Sequence, residues 1–158
     1  VYEKTGVKKE KNITDLKKFL DRKAAEFNQP SFIKEDPVSV PHHFTRKQDI
    51  EIAGFFAAIF AWGIRKTIIS KCTLLLQRMD NAPYDFCLHH GPGDLKRLEN
   101  FVHRTFNDTD LLYFVSFLKF HYEKHASLES AFFNPLTLHQ PDQVIENALN
   151  YFYGYFFS

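Results

Sequence analysis

Eight histidines and two cysteines are the residues of this chain that could ligate a metal or act as nucleophiles. His121 and His125 stand four apart, the spacing that puts two side chains on one helix face and that helical zinc ligands use. The residue after His121 is Tyr122, so the glutamate of an HExxH arrangement is missing. His42-His43 and His89-His90 are adjacent pairs, and neighbouring side chains rarely converge on one ion. Cys72 falls on an apolar helical face, where a thiol is ordinarily inert core, and neither it nor Cys87 has an activating neighbour. Gly91-Pro92-Gly93 lacks the GxxxxGK pattern of a phosphate loop. These residues point to no catalytic group, no metal site and no cofactor.

The cations are placed more tellingly. A helix N-terminus already carries partial positive charge, so Lys and Arg are normally favoured at the other end. Here Arg46 and Lys47 fall in the first turn of one expected helix and Arg65 and Lys66 in the first turn of the next. His103-Arg104 precedes the cap of a third. Backbone amides with a cation beside them form an anion site, and three such starts suggest the phosphate backbone of double-stranded DNA. Asp49 and Glu51 stand close enough to balance the first pair instead. Trp62, the single tryptophan, closes the apolar run before Arg65. It is either a core plug or an exposed ring able to stack on, or wedge between, bases.

The elements that would position these residues read as helices throughout. Thr14-Asp15 can cap a helix with Leu16, Phe19, Leu20, Ala24 and Phe27 at helical spacing. Pro30, Pro37 and Pro41 suggest that residues 28–44 form an extended connection. Thr45 and Gln48 match a capping box ahead of a helix running to about Trp62. Its segment IEIAGFFAAIFAWGIRK (50–66) is apolar enough to be buried on all sides and marks the centre of the fold. A second helix from Ile64 to Met79 turns Ile68, Cys72, Leu75 and Leu76 to one face. Asn81-Ala82-Pro83 opens a short helix that Gly91 ends, and Asp94 caps a brief turn. Residues 107–110 cap a long helix, Ser127 begins a short one, and Pro141-Asp142 starts the last. That last helix is expected to face the core with Val144, Ile145, Ala148, Leu149 and Phe152. No alternating period is long enough for a strand. The expected fold is all-α, a single orthogonal helical domain over 14–158 around one buried apolar helix, behind a basic leader at 1–13.

Composition narrows the class. The 158 residues suffice for one domain with a core, and 18 Phe with 7 Tyr make that core aromatic. The apolar run from Ile52 to Ile64 is shorter than the roughly 18 to 20 residues that cross a bilayer, so no membrane association is expected. Two cysteines without a CxxC and no visible signal peptide suggest reduced thiols and a cytoplasmic location. Residues 1–23 hold eight Lys/Arg against four Asp/Glu, a local net of +4. After Lys124 only Glu129, Asp142 and Glu146 are charged, a net of −3. The tail YFYGYFFS (151–158) carries six aromatic rings. Ring surface of that extent invites association. Tyr151, Phe152, Tyr155 and Phe156 are therefore candidate partner contacts, for a second copy or for a further C-terminal segment of a longer protein.

The segments DPVSVPHHF (36–44), IEIAGFFAAIFAWGIRKTII (50–69), MDNAPYDF (79–86) and HRTFNDTDLLYF (103–114) together resemble an uncharacterised bacterial family, domain of unknown function 2400. The resemblance runs from about Leu16 to the end, and family members continue past Ser158. More distantly, the order of elements is similar to the front half of helix-hairpin-helix DNA glycosylases of base-excision repair. In those proteins the residues after the apolar helix approach DNA and help fill the gap left by an extruded base. By position that implies Trp62 to Lys66 here. The exit is Trp-Gly-Ile-Arg-Lys rather than the usual polar stretch, and the hairpin and catalytic Lys or Asp of such enzymes fall beyond Ser158. The resemblance therefore implies a DNA-binding helical domain touching DNA through Trp62 to Lys66, with no catalytic residue in this chain. The cations at helix starts add Arg46, Lys47 and Arg104 to Trp62, Arg65 and Lys66 as expected contacts. The competing expectation is a non-catalytic helical interaction or oligomerisation module using the aromatic tail.

Overall fold

An apolar helix can only be central if other elements cover it, and the computed structural model shows how far that happens. It describes residues 5–133 and 144–158, with side chains from Ile13 onward. Among these the fold is all-α, with a lone bridge between His103 and Phe106 in place of any strand. The chain forms two compact units, Val1–Asp36 and Pro37–Ser158.

In the first unit, α1 (Thr5–Phe27) begins well before Thr14, so Thr14-Asp15 does not cap it. No proline interrupts residues 7–13, and their lysines and glutamate favour helix, so the turns propagate through the expected leader. The stripe of Ile13, Leu16, Leu20 and Phe27 has helical spacing but is exposed. The prolines of 28–44 start short helical turns rather than an extended connection. Pro30 opens α2 (Pro30–Ile33), and in the second unit 3-10 turns follow at Pro37–Ser39 and Pro41–His43. A proline at the first helical position sacrifices no hydrogen bond, because that N–H has no partner inside the helix.

The second unit is built around α3 (Lys47–Ile59). Its cap is Arg46, not Thr45, and the Gln48 side chain donates to Ala126 O at 2.9 Å instead of closing a capping box. Ile52, Ala53, Phe56, Ala57 and Phe60 are buried along one face, while Ile50 and Ile59 are exposed. The helix is therefore central without being buried all round. α4 (Arg65–Arg78) packs Ile68, Cys72, Leu75 and Leu76 inward. α5 (Pro83–His89) lacks a side-chain cap of its own, and the buried Asp49 carboxylate on α3 accepts its Tyr84 N–H at 2.9 Å. α6 (Pro92–Leu95) starts at Gly91, whose N–H donates to Asp94, so Asp94 closes this turn from its third position. α7 (Asp108–Tyr122) has the expected cap, in which Asn107 Oδ1 accepts from the amides of Thr109 and Asp110. Ser127 likewise caps a 3-10 turn at Leu128–Phe132.

α8 (Val144–Phe156) corrects the expected facing. Ile145 is 76% and Leu149 56% exposed, and Val144 is exposed too, while Phe152, Tyr155 and Phe156 turn inward. Apolar residues occupy both sides of this helix, so periodicity left the choice of face open. The expected start at Pro141-Asp142 lies outside the described residues.

One polar network ties these helices together. Glu51, 16% exposed in its side chain, accepts from Tyr122 Oη (2.9 Å), Ser127 Oγ (2.5 Å) and the Leu128 N–H (2.9 Å). The fully buried His121 lies alongside. Ser127 O can only accept, so His121 Nε2 donates to it at 2.9 Å and Nδ1 accepts from Tyr155 Oη at 3.1 Å. Glu51→Ala leaves three donors without their acceptor at about 1–3 kcal/mol each when none is resolvated. The expected loss is about 3 kcal/mol by urea denaturation, and an unchanged midpoint would remove this network from the account.

Burial holds the His121 pKa below the usual histidine value, helped by the nearby His125 and opposed by the Ser127 carbonyl and Glu51. Because the folded value is depressed, the unfolded chain takes up the proton first as pH falls. Stability is thus flat above the unfolded value of about 6.5 and declines as pH drops through the folded one. Thermal unfolding between about pH 7 and pH 5 should show this decline, and His121→Gln should flatten it.

Candidate nucleic-acid interface

The exit from α3 is shaped by one glycine. Phe60 is the C-cap, Trp62 N–H returns to Phe60 O at 2.6 Å, and Gly63 then adopts φ +135°. That backbone turns the chain directly into α4, whose N-cap is Ile64. An isoleucine has no side-chain oxygen to cap with, and no Asp or Glu stands in the first turn of α4. Arg65 and Lys66 are the first two residues of that turn.

The loop before α7 is fastened to the same corner. His103 and Phe106 exchange backbone hydrogen bonds of 2.8 and 3.0 Å. The buried His103 ring packs on Phe60 with centroids 5.2 Å apart, and its Nε2 donates to Phe60 O at 3.0 Å. Inside this turn Arg104 is held at φ 58°, an uncommon conformation for a residue with a Cβ. Its guanidinium lies over Gly63, so a Cβ there would sit 2.6 Å from Nη2 and 3.0 Å from Nε. Trp62 is 61% exposed beside it. A groove of about 620 Å³ opens next to the indole and is lined chiefly by Trp62, Phe106, Thr109, Asp110, Tyr113 and Phe157.

The structure thus gathers Trp62, Arg65, Lys66 and Arg104 at one end of α3 and leaves Arg46 and Lys47 at the other. The 13-residue helix separates the two groups by about 20 Å. Arg46 lies over the Tyr84 ring at 4.2 Å and pairs with Asp85 at 2.8 Å. Lys47 sits 3.7 Å from Glu51 and 3.6 Å from Glu129. Among the three expected helix starts, α7 is closed by Asn107 and Asp110 and α3 has Asp49 in its first turn. Of the tail residues, Phe156 is buried, Phe152 stacks on Phe132 at 4.3 Å and Tyr155 meets His121. Tyr151 stays at the surface, and the outward stripe of α8 is Ile145, Leu149 and Tyr153. Of the groove residues, Trp62 and Phe156 carry a signal of contact in the sequence, while Thr109, Asp110 and Tyr113 carry none. Thr109, Tyr113 and Phe157 share no motif with Trp62, and only packing makes them neighbours.

Elsewhere the reactive side chains are occupied. Burial pushes the Cys72 and Cys87 thiols up to about 12, with Asp49 adding to the effect at Cys87, so neither ionises near neutrality. Both ring nitrogens of His121 are engaged, and His125 stacks on that ring at 4.7 Å. Among the described residues no group of three or more His, Cys, Asp or Glu could hold a metal ion, and no helix is long and apolar enough to cross a membrane.

Gly63→Ala meets both a disfavoured φ and the Arg104 guanidinium. It should cost at least about 1 kcal/mol, since alanine at positive φ is strained. In an Arg104→Ala background the contact part should vanish and the backbone part persist. A denaturation double-mutant cycle measures the difference, and a neutral Gly63→Ala would contradict this geometry.

No curated protein and no solved structure matches the chain. A family described as "Protein of unknown function (DUF2400)" matches residues 36–158, a span nearly coincident with the second compact unit. With more than half of its length matched, the chain belongs to the DUF2400 family.

Proposed function

We propose that this protein binds double-stranded DNA through the corner between α3 and α4, with phosphates on the start of α4 and the Trp62 ring against the bases. The observation that carries this reading is the exposed Trp62 next to Gly63, over which the Arg104 guanidinium lies, just ahead of a helix start with no side-chain cap and no acid in its first turn. Main-chain amides and the helix dipole favour an anion at such a start. Arg65, Lys66 and Arg104 supply the positive charge that phosphate contacts need. The glycosylase-like order of elements accords with a DNA partner and adds no catalytic residue. Arg46 and Lys47 belong to the far end of α3 and are left out of this contact.

A second reading, a non-catalytic interaction module, is favoured by the outward apolar stripe Ile145, Leu149 and Tyr153 on α8. It requires self-association or a protein partner, whereas the DNA reading holds for a monomer.

Duplex affinity measured across a salt series separates them. Each phosphate contact contributes nearly one unit to the slope of log K against log salt. Arg65→Ala and Lys66→Ala should each make that slope shallower by about 1, and Trp62→Ala should weaken binding with the slope unchanged. Equal affinity and slope in all three variants, with a concentration-dependent dimer by light scattering, would replace this reading with the second.

A further inference from the structure

We infer that the groove beside Trp62 is a nucleotide subsite, taking a planar base that bears an amino group while the attached phosphate lies at the α3–α4 corner. The inference rests on the reading of that corner as a phosphate contact.

The groove's volume, about 620 Å³, falls within the roughly 300–1,000 Å³ of small-molecule clefts. Its base is made of rings held rigidly by one another. Phe106 meets Phe114 edge-on at 5.3 Å, and Phe114 meets Phe156 at 4.8 Å. Tyr113 donates its hydroxyl to Phe156 O, so its ring is fixed and its polar end is consumed. Such surfaces accept a flat ring by stacking, which every base offers. One carboxylate lines the groove, that of Asp110. Its Oδ2 accepts the Asn107 N–H at 2.9 Å, and a carboxylate has capacity for further donors. An exocyclic amino group offers two such N–H donors at the edge of the base, where thymine has only its single imide N–H between two carbonyls that a carboxylate repels.

The rim carries the opposite charge. Arg104 lies between two groove-lining residues, His103 and Thr105, with its guanidinium over Gly63. Arg65 is three residues beyond Trp62, a reach of at most about 11 Å. An apolar slot with an acceptor inside and cations at its mouth is complementary to a ligand with a flat, donor-bearing end and an anionic end. That combination is a nucleotide, either free or within a strand.

The test uses Trp62 itself, the single tryptophan of the chain. Its emission should change saturably with adenosine monophosphate, about tenfold more weakly with thymidine monophosphate, and not at all with inorganic phosphate. Thr109→Phe, on the exposed rim, fills the slot while leaving Arg65, Lys66 and Arg104 in place, and Thr105→Phe is a second filler should the first misfold. Either one, folded by circular dichroism, should abolish the response. No saturable change in the wild-type protein, or the same change in a folded filler variant, overturns the subsite. Nucleotide binding without salt-dependent duplex binding would remove the DNA reading and keep the groove; duplex binding without nucleotide binding would do the reverse. A short single-stranded oligonucleotide binding more tightly than the monophosphate identifies the source as a strand, and equal affinity identifies a free nucleotide.

Discussion

The Glu51 carboxylate accepts three hydrogen bonds where most of its surface is withdrawn from water, and much of the helical arrangement depends on it. A buried charge is tolerable only when its lone pairs are met. Here the partners come from α7 and from the turn that follows it, so the cost of burial is offset only when α3, α7 and that turn are assembled together. His121 then grips the carbonyl of Ser127 and the hydroxyl of Tyr155, which extends the same constraint to α8. Asp49, two residues earlier, does for α5 what its own sequence does not, by closing the helix start. α3 is thus an organiser through its polar residues as much as through its apolar ones.

The abundance of phenylalanine has a physical use at the other end of α3. Phe60 meets Phe101, Phe106 and His103, and Phe106 meets Phe114, which meets Phe156. Several of these contacts are edge-to-face, an arrangement worth about 0.5–1.5 kcal/mol beyond burial. Large rigid rings fill space coarsely, and where the chain of rings meets the surface it leaves a groove. The exposed indole and the groove are therefore products of the same packing that stabilises the corner. Gly63 allows the close approach of Arg104 there, because a side chain would occupy the space of the guanidinium.

The cations at the helix starts meet different surroundings in the structure. The unusual placement of Arg65 and Lys66 coincides with a start that has no side-chain cap. Arg46, at the cap of α3, rests on Tyr84 and Asp85, which come from a different helix. Local sequence reports the charge of a helix end but not which distant acid or ring will reach it. The prolines of 28–44 show the same limit, since a proline can end one helix or begin another, and here they begin turns.

By itself the sequence determined the all-α class, the α4 helix with its inward face, the α7 helix, the Asn107 and Ser127 caps, and the inert placement of Cys72. Each depends on residues within one or two turns of each other, so spacing suffices. Tertiary structure alone decided which face of α8 is buried, which cations are paired, that Trp62 is exposed, and that a groove forms between it and Tyr113. Those outcomes depend on contacts between segments far apart in the chain. Such contacts are set by the competition of many rings and hydrogen bonds for one volume, which no local pattern encodes.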